Sequence, residues 1–165
     1  MTKLNEVIVN HIEYTIWATN RLLHAAAELS EEERRRDFGT ADKSIEGTLT
    51  HLLRSERTWF LRIRDGTPRV PWALPNDEEW DHLMREWPHV HRQWRDWASG
   101  LSEQDAEEAL TYKDLKGNDW TQPIWQIVLH VVNHSTHHRG QVTGFLRAVG
   151  KTPPPLDFIA FVRGV

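Results

Sequence analysis

The sequence predicts an all-α protein, a four-helix bundle with a short β-hairpin before the last long helix. Three observations predict it. Apolar residues recur at helical spacing in long segments separated by polar or proline-bearing connections. Trp80, Trp87 and Trp94 repeat every seventh position. The length, 165 residues, fits one domain spanning 1–165 with a real core.

The first long helix is expected over about Leu4 to Leu29, where Ile8, Ile12, Ile16, Thr19, Leu23 and Ala26 share one face. The polar stretch from Ser30 to Asp42 reads as a connection. The second runs from about Ser44 to Arg64 with Ile45, Leu49, Leu52, Trp59 and Ile63 inward. Asp65-Gly66 ends it, and Pro68, Pro71 and Pro75 hold the next segment extended. The third opens at Asn76, with Glu79 placed for a capping box, and its tryptophans interleave with Leu83, Val90 and Trp97 as in a bundle helix. That stripe reads as core rather than a ligand-binding wall, and Pro88 within it is expected to kink the helix. Leu110 to Lys113 and Asp119 to Thr121 flank Lys116-Gly117-Asn118 as a two-stranded hairpin. The last long helix begins near Pro123 and runs to Val149, with Gly150 as its stop. After three prolines, the apolar tail Leu156 to Val162 is expected to pack back on the bundle.

Composition narrows the function classes. Net charge is −4, with 20 basic and 24 acidic residues well mixed. The one dense basic run, Arg34 to Arg36, follows three glutamates and reads as a solvated helix end, so no nucleic-acid partner is expected. No apolar run approaches the roughly 20 residues that cross a bilayer, and the N-terminus has no basic-then-apolar signal pattern. Cysteine is absent, which excludes disulfides, thiolate ligands and a cysteine nucleophile and fits a cytoplasmic protein.

The histidines carry the chemistry. Four of the ten lie between His130 and His138. At about 100° per residue, His134 and His138 fall near the middle of the stripe formed by Ile127, Val131, Val142, Phe145 and Val149, and His130 and His137 on its flank. Two imidazoles stacked at i and i+4 on a core-facing stripe need partners for their ring nitrogens. A shared metal ion would supply one; a hydrogen-bonded core pair or a wet pocket would serve as well. His51 sits at the edge of the second helix's apolar stripe, an edge that could face the last helix or solvent. Glu56 lies nearer the stripe centre, either orienting or ligating at a metal site or forming a buried ion pair. His11, His24, His82, His89 and His91 read as surface or packing residues.

Tyr14 to Asn20, His51 to Trp59, His130 to Val142 and the ending from Gly150 to Ile159 resemble the DinB family of metal-binding four-helix proteins, along nearly the whole chain. The string from His130 to Val142 is the specific part. The resemblance implies a metal triad of one histidine on the second helix and two on the last, here His51, His134 and His138. Three histidines leave an open coordination position, as at a catalytic site. Imidazole ligands suit Zn, Ni, Co, Cu or Fe(II), with Zn or Ni the expected occupant. Relatives include transferases that use low-molecular-weight thiols, so a small-molecule substrate and metal-dependent thiol transfer are implied, the thiol arriving as cosubstrate because the chain has no cysteine. A metal-dependent hydrolase, with Glu56 as base, and a stress-related metal-binding protein without turnover are the alternatives. Gly140 and Gly144, four apart on the face opposite the histidines, point to close approach by another element, either the C-terminal tail or a second subunit in a homodimer.

Overall fold

A computed structural model describes residues 3–66 and 71–164. In chain order the elements are α1 (Leu4–Ala27), α2 (Glu31–Arg35), α3 (Ile45–Asp65), α4 (Trp80–Ser99), α5 (Glu103–Glu107), β1 (Ala109–Lys113), β2 (Asp119–Pro123), α6 (Ile124–Ala148) and α7 (Phe158–Arg163). The long helices α1, α3, α4 and α6 form the bundle: α6 packs between α1 and α3, and α4 closes the ring on the other side. No helix among the described residues is long and apolar enough to cross a membrane.

The expected face of α1 is buried at every position, Ile8 through Ala26. Tyr14, Thr15, Ala18 and Leu22 are buried too, because α1 touches both α4 and α6 and must hide a wider arc than one stripe. Trp87 and Trp94 are core residues, as the heptad spacing required, and Trp80 and Trp97 are partly buried against them. The helix α4 continues unbroken through Pro88, which lies on its exposed side.

Several expectations change. The Ser30–Asp42 connection contains α2, started by a reciprocal capping box between Ser30 and Glu33. Arg35 and Arg36 lie exposed at the end of α2, as the charge run predicted, whereas Arg34 is half-buried; Arg34 and Arg35 both reach the buried Glu46, and Arg34 also lies 4.5 Å over the Trp80 ring. The third long helix starts at Trp80 rather than Asn76. Asn76 adopts a left-handed φ of 67°, and the carboxylate of Asp77 is drawn inward to Arg57, so the chain turns here before the helix can begin. Pro68 lies outside the described residues. Trp59 does not point into the core; Phe60 does, and Trp59 faces a cleft beneath the hairpin.

The hairpin pairs Leu110 with Gln122 and Tyr112 with Trp120 in antiparallel register. Its turn is organised by Asp114, whose two oxygens accept from the backbone N–H groups of Lys116 and Asn118, the Asn118 amide and the Trp120 indole. The tail returns to the bundle as expected. The Tyr14 hydroxyl donates to the Leu156 carbonyl, and Phe158 and Phe161 pack their rings on His11, Tyr14 and Trp17. A Cβ on Gly140 or Gly144 would meet nothing within 4 Å, so the tail does not provide the close approach those glycines suggested.

Candidate metal centre

Ser44 caps the start of α3, its hydroxyl accepting from the Gly47 N–H at 3.0 Å. Gly47 is required: a Cβ there would collide with the carbonyl oxygen of Asp42. The missing side chain lets the 37–44 loop fold against the first turn of α3 and brings Asp42 beneath His51, one helical turn further on.

His51 on α3 meets His134 and His138 on α6, as the contact between those helices demands. Their ring centroids lie 4.5–5.0 Å apart, and Nε2 of His51 is 3.1 Å from Nε2 of His134. One ring nitrogen from each histidine falls within 4.8 Å of the others. The other nitrogens have oxygen partners. His138 Nδ1 is 2.9 Å from the Gln141 Oε1, His134 Nδ1 is 3.4 Å from the Ser55 hydroxyl, and Asp42 lies 3.4 Å from His51 Nδ1 and 3.7 Å from His138 Nδ1. A proton on His138 Nδ1, donated to Gln141, leaves its Nε2 lone pair free for the shared centre.

These residues fit a metal ion. Two imidazoles at about 2.0–2.1 Å from one ion stand roughly 2.9–3.4 Å apart for angles between 90° and tetrahedral, and the observed 3.1 Å lies in that range. Without a proton or cation between them, two lone pairs at this distance repel. Charge chemistry agrees: burial, with the neighbouring histidines, pushes His134 down to about 3, and burial also lowers His51. Neutral imidazoles are the ligating form.

His134 and His138 do not occupy the middle of the buried face of α6. That face is centred on Ser135, Arg139 and Val142, and the two histidines lie along its rim, only partly buried. The rim position is what leaves the centre open to a cleft of about 650 Å³, walled by α3, the hairpin and Trp72 and ending at His134. His130 lines that cleft beside Trp59 and stays outside the triad, and His137 is exposed, in contact with Gln141.

Glu56 is not at the centre. It is 2% exposed in the core, where it accepts from the Ser135 hydroxyl at 2.9 Å and lies 4.0 Å from His91. Burial raises its carboxyl to about 7 against the opposing charge of Arg139 and the Ser135 hydrogen bond. The folded protein therefore holds a proton that the unfolded chain releases above about 4.5, and stability falls as pH rises between those values. Replacing Glu56 by Gln removes this slope. In urea titrations of the metal-free proteins, Glu56→Gln should gain on wild type by on the order of 3 kcal/mol between pH 4.5 and pH 8; a difference independent of pH would show that Glu56 does not titrate there.

Sequence reasoning missed the residues that orient the triad. Gln141 was within reach of inference, three residues after His138 on the same helix. Asp42, Ser55 and Trp72, whose ring stands 5.3 Å from that of His51, had no comparable signal.

The chain is 24% identical to Protein DinB of Bacillus subtilis (strain 168) over 155 residues, covering 88% of each chain. A description of the DinB family matches residues 1–164. With a helical bundle, a hairpin ahead of α6 and three histidines gathered between α3 and α6, the chain belongs to the DinB family.

Proposed function

We propose that His51, His134 and His138 bind one divalent metal ion, Zn or Ni foremost, and that the protein transfers a low-molecular-weight thiol to a small electrophile. The observation that carries this reading is the cleft of about 650 Å³ that ends at His134, one of the three converging imidazoles. A divalent ion there would lower the pKa of a thiol and supply a thiolate near neutral pH. The chain's own part is to hold and to exclude. Asp42 and Gln141 fix the ring orientations, and Trp59, Trp72 and Tyr112 give the cleft aromatic walls. No cysteine in the chain competes with the cosubstrate. In the transfer, the thiol sulfur loses its proton to solvent and forms a bond to the electrophilic carbon, and the leaving group departs with its electron pair.

The room beside the triad favours turnover over storage of an ion. Hydrolysis is the weaker reading because Glu56, the expected base, is bonded to Ser135 in the core. The test is conjugation of a thiol panel with chlorodinitrobenzene and bimane electrophiles by Zn- and Ni-loaded protein. Conjugation well above the uncatalysed background, lost in His134→Ala, is expected. No acceleration with any thiol removes the transferase reading, and ester hydrolysis without added thiol would replace it.

A further inference from the structure

The cleft contains a cation whose partner is missing. Arg62, on α3, is 5% exposed yet forms no hydrogen bond or ion pair among the described residues, and its Nε is buried with no partner. Its guanidinium lies 4.5 Å from the Trp59 ring centroid and 5.3 Å from that of Tyr112, so aromatic faces fix its plane while its edge lines the cleft. Arg57, five residues earlier on α3, shows the alternative, with its fork fully committed to Asp77. Asp114 is the carboxylate nearest in effect to Arg62, but both its oxygens are occupied within the hairpin turn. The buried Nε without an acceptor is costly, and the terminal nitrogens at the cleft are left for a ligand to complete.

We propose that Arg62 is the anion-recognition residue of the cleft, and that the molecule reaching the histidine centre carries a carboxylate about two helical turns away. Ser55, which touches His134, and Arg62 are seven residues apart on α3, or about 10 Å along the axis. Arg62 and Lys116 face one carboxylate, Asp114, in the cleft lining, leaving one positive charge. That balance suits a monoanion, and the planar fork suits a carboxylate bound through two parallel hydrogen bonds. The inference rests on the proposed metal site only for where the ligand's other end lies.

The test uses metal-loaded protein and two probes that differ only at the far end, 8-mercaptooctanoate and 8-mercaptooctan-1-ol. Binding is read by calorimetry and by quenching of the cleft tryptophans. The carboxylate probe should bind at least about tenfold tighter, and Arg62→Met, which keeps the stacked stem, should abolish that preference with unchanged circular dichroism. Equal affinities in wild type would make Arg62 a mere clamp between α3 and the hairpin and overturn the proposal. So would absence of saturable binding, or a preference that survives Arg62→Met, since the carboxylate would then be bound elsewhere. The sulfur-to-metal charge-transfer band of Co(II)-loaded protein separates the two readings. A carboxylate preference without the band supports Arg62 and counts against thiol activation; the band without a preference does the reverse.

Discussion

Purified wild-type protein should carry near one equivalent of divalent metal, and His134→Ala should carry none. His134 brings its Nε2 to 3.1 Å from that of His51, stands one turn from His138 and is backed by Ser55. Its loss leaves two ligands on different helices, so affinity should fall well beyond the roughly 10–100-fold cost of losing an orienting partner. The effect extends to stability because the ion ties α3 to α6. Metal at a thousand times its dissociation constant adds about 4 kcal/mol, or a rise in Tm of roughly 8–16 °C for a chain of this size. Elemental mass spectrometry and melting with and without metal read both quantities. His130→Ala is the control, since His130 lines the cleft without joining the triad and should retain the ion. Wild type that stays metal-free after reconstitution would leave only a hydrogen-bonded histidine cluster and remove the basis for metal chemistry.

The second large effect is at Asp77. Its carboxylate is 1% exposed and takes paired hydrogen bonds from Arg57 at 2.8 and 2.7 Å, a third from Arg54 at 3.2 Å and a fourth from the Leu74 N–H at 2.7 Å. Asp77→Ala strands the buried Arg57 charge, which should cost about 3–5 kcal/mol and lower Tm by roughly 6–20 °C. Burial alone would raise the Asp77 carboxyl, but the Arg57 hydrogen bond, the Leu74 amide, the Arg57 charge and Arg54 outweigh it and hold it at about 2. A depressed carboxyl stabilises the fold above its unfolded value of 3.8 and loses that contribution as pH falls toward 2. The gap between wild type and Asp77→Ala should therefore narrow over that interval in denaturant titrations. The same clamp anchors the segment that carries Trp72 to the ring of His51, so the variant should also loosen that wall of the cleft. A gap below about 1 kcal/mol at neutral pH would mean that the pair merely offsets its own desolvation.

Much of the fold was legible because helices are local. The six positions assigned to the α1 face are all buried, and the Gly117 turn sits where the hairpin was expected. The misreadings arose where a polar group is paid for by a distant partner. Hydropathy centred the α6 stripe on His134 and His138, since Ser135 and Arg139 look like surface residues. In the fold both are buried, Ser135 against Glu56 and Arg139 against Thr136 and Thr19, and the face turns toward them. The helical start at Asn76 failed for the same reason, with Asp77 serving Arg57 and not the helix that follows.

By itself the sequence determined the helical class, the tryptophan-filled core and the pair of imidazoles one turn apart on the last long helix. These depend on spacing along a single helix, which 3.6 residues per turn converts directly into position. Through its resemblance to the DinB family it also supplied His51. Only the tertiary structure decided that His51 faces the α6 pair, that Asp42 rather than Glu56 sits against the rings of His51 and His138, and that Arg62 in the adjoining cleft stands unpaired among the described residues. Each of those facts joins residues from separate elements. Their side-chain partners are set by how α3, α6, the hairpin and the 37–44 loop pack, and a one-dimensional period contains no information about that packing.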